Sequence, residues 1–152
     1  MFRISKTASV SLSLFLTALF GAVLLCAAFL LPGFVRLIAS AALRPLGGRD
    51  GVLILTAGYA ILLLSLLAAI LLFRLLLLVR AGEVFTAPAV ALIRGVSWCA
   101  IGISAVFLLM TWYYLLALVL AFTAVLLGLC LRVVKNVIEE ATAIKSENDL
   151  TV

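Results

Sequence analysis

Three long stretches without a single charge dominate the chain. They run from Thr7 to Val35, from Gly51 to Phe73 and from Gly95 to Leu131. An α-helix rises about 1.5 Å per residue and needs about 20 apolar residues to cross the hydrocarbon core of a bilayer. The first two stretches hold one such helix each, whereas the third is too long for one and just long enough for two. Thr111, Trp112, Tyr113 and Tyr114 stand near its middle. Trp and Tyr concentrate where membrane meets water, so a tight turn is expected there. The spacing predicts spans over roughly 9–31, 52–73, 90–111 and 114–134. The third starts before its uncharged run and keeps Arg94 at the interface, where a long basic side chain snorkels to the headgroups.

Composition leaves little room for another class. Of 152 residues 68% are apolar and 11% are charged, against about 45–50% and about 25% in soluble domains. A water-soluble globule of this size could not hide that much apolar surface, and a disordered chain would need more charge. The expected fold is therefore an all-α membrane protein, one domain over residues 1–152 with four transmembrane helices. The lipid bilayer is its first partner.

The net charge is +5, but the basic residues flank the apolar stretches and form no stripe with interleaved aromatics. They report orientation rather than direct nucleic-acid binding. With a cytoplasmic N-terminus, that side holds Arg3, Lys6, Arg74, Arg80, Arg94, Arg132, Lys135 and Lys145, and the outer side holds Arg36, Arg44 and Arg49. Eight against three obeys the positive-inside rule and puts both termini in the cytoplasm of a bacterial inner membrane. The first stretch is longer than the apolar core of a signal peptide and is read as a retained span. Between Pro32-Gly33 and Pro45, the four-residue spacing of Arg36, Ser40 and Arg44 suggests a short helix in the outer headgroup layer.

Catalytic chemistry finds no foothold. There is no His to act as base or ligand, and no P-loop or GxGxxG. Cys26, Cys99 and Cys130 are scattered and read as packed thiols, so neither metal nor cofactor is expected. The neighbours Glu139 and Glu140 point about 100° apart on a helix and read as a solvated face. No Asp or Glu falls within a span, which argues against coupled transport, although an oligomeric transporter or pore stays as the alternative to a non-enzymatic binding role.

Three segments carry more information. Ala117, Ala121, Ala124 and Gly128 recur at four, three and four residues, one face of a helix that lets another approach closely. That face packs within the four-helix bundle or forms the seam of a homo-oligomer. Ala18, Ala22 and Cys26 give the first span a weaker stripe. Between the second and third spans, Gly82 is placed to end a helix with positive φ. Thr86 is placed to cap the next through its hydroxyl, Pro88 lies in its first turn, and Phe85 is placed as a hydrophobic staple. After the fourth span, Val134, Val137, Ile138, Ala141 and Ile144 form an apolar stripe at helical spacing. Residues 135–152 thus read as a cytoplasmic amphipathic helix, ending near Asn148, and a short acidic tail. The stripe either lies against the inner hairpin or the lipid surface, or docks a partner helix.

GEVFT at Gly82–Thr86, the following Arg94-Gly95-x-x-Trp98 and the terminal SENDLTV resemble the YoaS-like family of small four-span bacterial membrane proteins, a domain of unknown function. Members of that family have no established activity, and with no catalytic constellation in the sequence a non-enzymatic role is expected. Such proteins are often encoded beside a small helix-turn-helix regulator of the Cro/CI type, which implies a cytoplasmic regulator as partner. Reporter fusions test the orientation: fusions near Arg44 are expected outside, and those near Glu83 and Val152 inside. A Val152 fusion outside would mean that the third uncharged stretch is not a hairpin.

Overall fold

Four helices account for nearly all of the structure. In the computed structural model, which describes residues 6–39 and 48–150, α1 spans Lys6–Ala39, α2 Gly48–Arg80, α3 Ala87–Met110 and α4 Leu116–Leu150. Each is long and apolar enough to cross a membrane, and the chain is a multi-pass, all-α membrane protein. The α3–α4 turn falls at the aromatic cluster. Tyr113 and Tyr114 both donate their backbone N–H to Met110 O at 3.0 Å. The Tyr113 hydroxyl donates to Asp50 Oδ1 at 3.1 Å, tying this turn to the start of α2. At the other end, α4 continues unbroken past its apolar run to Leu150, slightly beyond Asn148.

Gly82 ends α2 with φ +82°. Its N–H bonds Val79 O at 3.1 Å and that of Glu83 bonds Leu78 O at 3.0 Å, the paired pattern that satisfies the last carbonyls of a helix. Thr86 occupies the N-cap of α3 with extended backbone, but its hydroxyl makes no cap bond. It turns back to donate to Glu83 O at 3.1 Å, closing the turn instead of the helix. Phe85 is 47% exposed. Pro88 lies in the first turn of α3, as the missing N–H requires.

Among the described residues the helices approach closely only as chain neighbours, α1 on α2, α2 on α3 and α3 on α4, so the bundle is an open row. Each contact seats a large side chain against a glycine. A methyl group in place of the glycine hydrogen would lie 3.1 Å from Leu31 Cδ1 at Gly58. The corresponding distances are 2.8 Å from Leu71 Cδ1 at Gly95, 3.2 Å from Leu64 Cδ1 at Gly102 and 3.0 Å from Ile101 Cγ1 at Gly128. Leu64 and Leu71, like Gly102 and Gly95, are seven apart and pair in antiparallel order, the heptad register of left-handed helix pairs.

The α3–α4 pair adds hydrogen bonds in the same register. Ser97 Oγ donates to Gly128 O at 2.8 Å, and Ser104 Oγ to Ala121 O at 2.9 Å. Both serines are buried, as are Ala117 and Ala121. Gly128 is buried too, and Ala124 is half-buried. The small-residue face of α4 thus lies on α3. The stripe expected on α1 does not behave likewise, because Ala18, Ala22 and Cys26 are exposed. The face toward α2 runs instead along Leu14, Thr17, Leu24, Ala28, Leu31 and Val35, at steps of three, four or seven.

Pro32-Gly33 does not bound a separate helix, since α1 runs through Pro32 to Ala39. The rest of that expected outer helix, from Ser40 through Arg44 to Pro45, lies outside the described residues. A proline inside a helix releases the carbonyl four residues earlier, here Ala28 O. The Tyr59 hydroxyl of α2 donates to that carbonyl at 3.3 Å, one of the ways a neighbouring helix re-satisfies a backbone group freed by proline.

Two stability predictions follow from these contacts. Gly128→Leu should cost about 1–3 kcal/mol, because the side chain has no room against Ile101 and the Ser97 carbonyl, while Gly33→Leu, which faces open space, should cost little. Thermal unfolding in detergent reads both, and equal stability of the two variants would dismiss the close approach. Tyr59→Phe should cost about 1–3 kcal/mol by stranding the Ala28 carbonyl. The cost should largely vanish in a Pro32→Ala background, where residue 32 regains its N–H. A double-mutant cycle without coupling would separate Tyr59 from the proline.

Candidate functional site

Close packing of α3 on α4 brings together residues that neither helix gathers alone. Near the end that carries the α2–α3 turn, Arg94, Ser97 and Trp98 of α3 face Arg132, Lys135 and Asn136 of α4 across a cleft of about 350 Å³. The Arg132 guanidinium carbon sits 4.8 Å from the centre of the Trp98 ring, within cation–π range. Glu139 receives an ion pair from Arg94 at 3.4 Å and another from Lys135, its neighbour one turn earlier. Lys135 also donates to Asn136 Oδ1 at 3.2 Å. Its side chain is only 14% exposed, against 55% for Arg94 and 49% for Glu139.

Glu139 lies beyond the apolar run of α4. The hydrogen bond from Lys135 is the main influence holding its carboxyl below the ordinary value. Desolvation opposes this, and the charges of Lys135 and Arg94 add to it. The carboxylate is therefore ionised at neutral pH and bridges the two helices. Such a half-exposed pair orients side chains more than it stabilises the fold. Arg74 of α2 lies beside Leu92 in the next groove, so basic residues from three helices stand near one level, where the uncharged stretches end.

The residues singled out in the sequence fall in three places. On α4, along and beyond the cleft, Ile138 and Ala141 are half-buried, whereas Val134, Val137 and Ile144 are exposed at 46%, 62% and 55%. Gly82, Phe85 and Thr86 form the α2–α3 turn. Ala117, Ala121, Ala124 and Gly128 lie between α3 and α4, and the Gly128 carbonyl accepts from Ser97, which lines the cleft. Cys99 is buried, and Cys26 and Cys130 are exposed. Among the described residues no group of acids, cysteines or histidines is arranged to hold a metal. Sequence reasoning placed Glu139 on a solvated face and missed its bridge to Arg94. Its four-residue spacing from Lys135 was the available signal, but nothing local reveals a partner 45 residues away.

No curated protein and no solved structure matches the chain. The pattern that defines one family matches residues 39–152, which takes in α2, α3, α4 and both turns between them. The chain belongs to the family described as Protein of unknown function (DUF2975).

Proposed function

We propose that this protein is a non-enzymatic, YoaS-like component of the bacterial cytoplasmic membrane that holds a cytoplasmic helix-turn-helix regulator of the Cro/CI type on the extension of α4. The observation that carries the reading is the exposed stripe on that extension. From Arg132 to Leu150 the helix runs about 28 Å past its apolar segment. Val134, Val137 and Ile144 lie along it at i, i+3 and i+10, the spacing by which an amphipathic helix meets a partner. The eight-to-three distribution of basic residues favours a cytoplasmic location for this end. The resemblance carried by Gly82–Thr86, Arg94-Gly95-x-x-Trp98 and the terminal SENDLTV supplies the kind of partner. An adjacent repressor gene would favour this reading over an oligomeric transporter or pore.

The double variant Val137→Asp/Ile144→Asp tests it. Each buried aliphatic anchor contributes roughly 1.5–3 kcal/mol, so losing two and adding charge should weaken regulator binding at least about a hundredfold. Binding is measured between the purified regulator and the full-length protein in detergent, with membrane insertion checked separately. Undiminished binding by a correctly inserted double variant would remove the stripe from the interaction.

A further inference from the structure

Independently of that reading, we propose that the cleft between α3 and α4, lined by Arg94, Trp98, Arg132, Lys135 and Asn136, binds the phosphate of an anionic phospholipid headgroup. Charge is the first argument. Arg94, Arg132 and Lys135 bring three positive charges to one cleft of about 350 Å³, and among the described residues only Glu139 is ion-paired with them. Two positive charges therefore remain uncompensated across a gap between two helices, an arrangement that favours an anion. Geometry is the second. Arginine presents a planar fork of donors that matches phosphate oxygens, and lysine a compact point charge. Glu139, bonded to both Arg94 and Lys135, positions these two cations on opposite walls.

Location selects a lipid as the source of the phosphate. The cleft opens where the uncharged runs of α3 and α4 end, which is headgroup depth for helices that cross a bilayer. Trp98, which lines the cleft, is 57% exposed, and aromatic side chains of this kind concentrate at the interface. One turn before Arg132 on α4, within the apolar run, Leu129 is 49% exposed and offers apolar surface for an acyl chain. A free phosphate ion would use the same cations but gain nothing from Trp98 or Leu129.

The test uses the full-length protein in a neutral detergent and native mass spectrometry to count retained lipid. Phosphatidylglycerol should be retained at least about tenfold more tightly than phosphatidylcholine. Arg132→Gln and Arg94→Gln should each lower phosphatidylglycerol retention about tenfold and leave phosphatidylcholine unchanged. Arg74→Gln, a cation near the same depth but outside the cleft, should keep wild-type retention. Equal retention of the two lipids by the wild type, or an equal loss in Arg74→Gln and Arg132→Gln, would overturn the site. Inorganic phosphate at millimolar concentration should not displace the lipid, and if it does so fully, the source of the phosphate is the free ion and the lipid assignment falls. The wild-type comparison decides between an anion site and none even if a variant fails to fold.

Discussion

The close approach of α3 and α4 is the contact on which the rest of the polar architecture depends. Lipid offers a helix no hydrophobic reason to leave it, so association rests on packing and on hydrogen bonds between helices. Small residues at Ala117, Ala121, Ala124 and Gly128 thin one face of α4 until the backbone itself is within reach of α3. Ser97 and Ser104 then donate to carbonyls of α4. Packing is the larger contribution: interhelical hydrogen bonds in membranes average about 0.6 kcal/mol, and these carbonyls would keep their helical partners if the hydroxyls were lost. The serines reinforce the register, because two of them seven residues apart meet two carbonyls seven residues apart.

That register determines the chemistry at the far end of the pair. Arg132 comes over Trp98, and Glu139 comes within reach of Arg94, only because Gly128 is held against Ser97. Sliding α4 by one turn would move it about 5.4 Å, separate each of these partners and open the cleft. The Arg94–Glu139 pair that crosses between the helices is half exposed and contributes little to stability. It is a consequence of the alignment rather than its cause, and the glycine notches do the aligning in all three helix pairs.

Much of this organisation was readable from the chain, for identifiable reasons. Charges punctuate the apolar runs, so the number of helices follows. Gly82 and the aromatic group at Thr111–Tyr114 mark turns by backbone freedom and by interfacial preference. The face by which a helix packs was harder. In an ordinary helix apolar residues point inward and polar ones outward, but α1 is apolar all round, so Ala18, Ala22 and Cys26 could be mistaken for its contact face. Gly58, Gly95 and Gly102 acquire meaning only beside Leu31, Leu71 and Leu64. Pro32-Gly33 looks like a stop until Tyr59 is seen to relieve the proline. Of the cleft, Arg94 and Trp98 stood out through the family resemblance, while the bridge from Glu139 depends on a helix pairing that local sequence does not encode.

The bond from Tyr59 to Ala28 has a consequence for biogenesis. Residues leave the ribosome in order, so α1 emerges before Tyr59 does. Until α2 arrives, Pro32 leaves the Ala28 carbonyl without its helical donor, and a solitary α1 is the less stable for it. Pairing of α1 with α2 removes that cost, because the Tyr59 hydroxyl then reaches the carbonyl. The proline thus couples the completion of one helix to the delivery of the next.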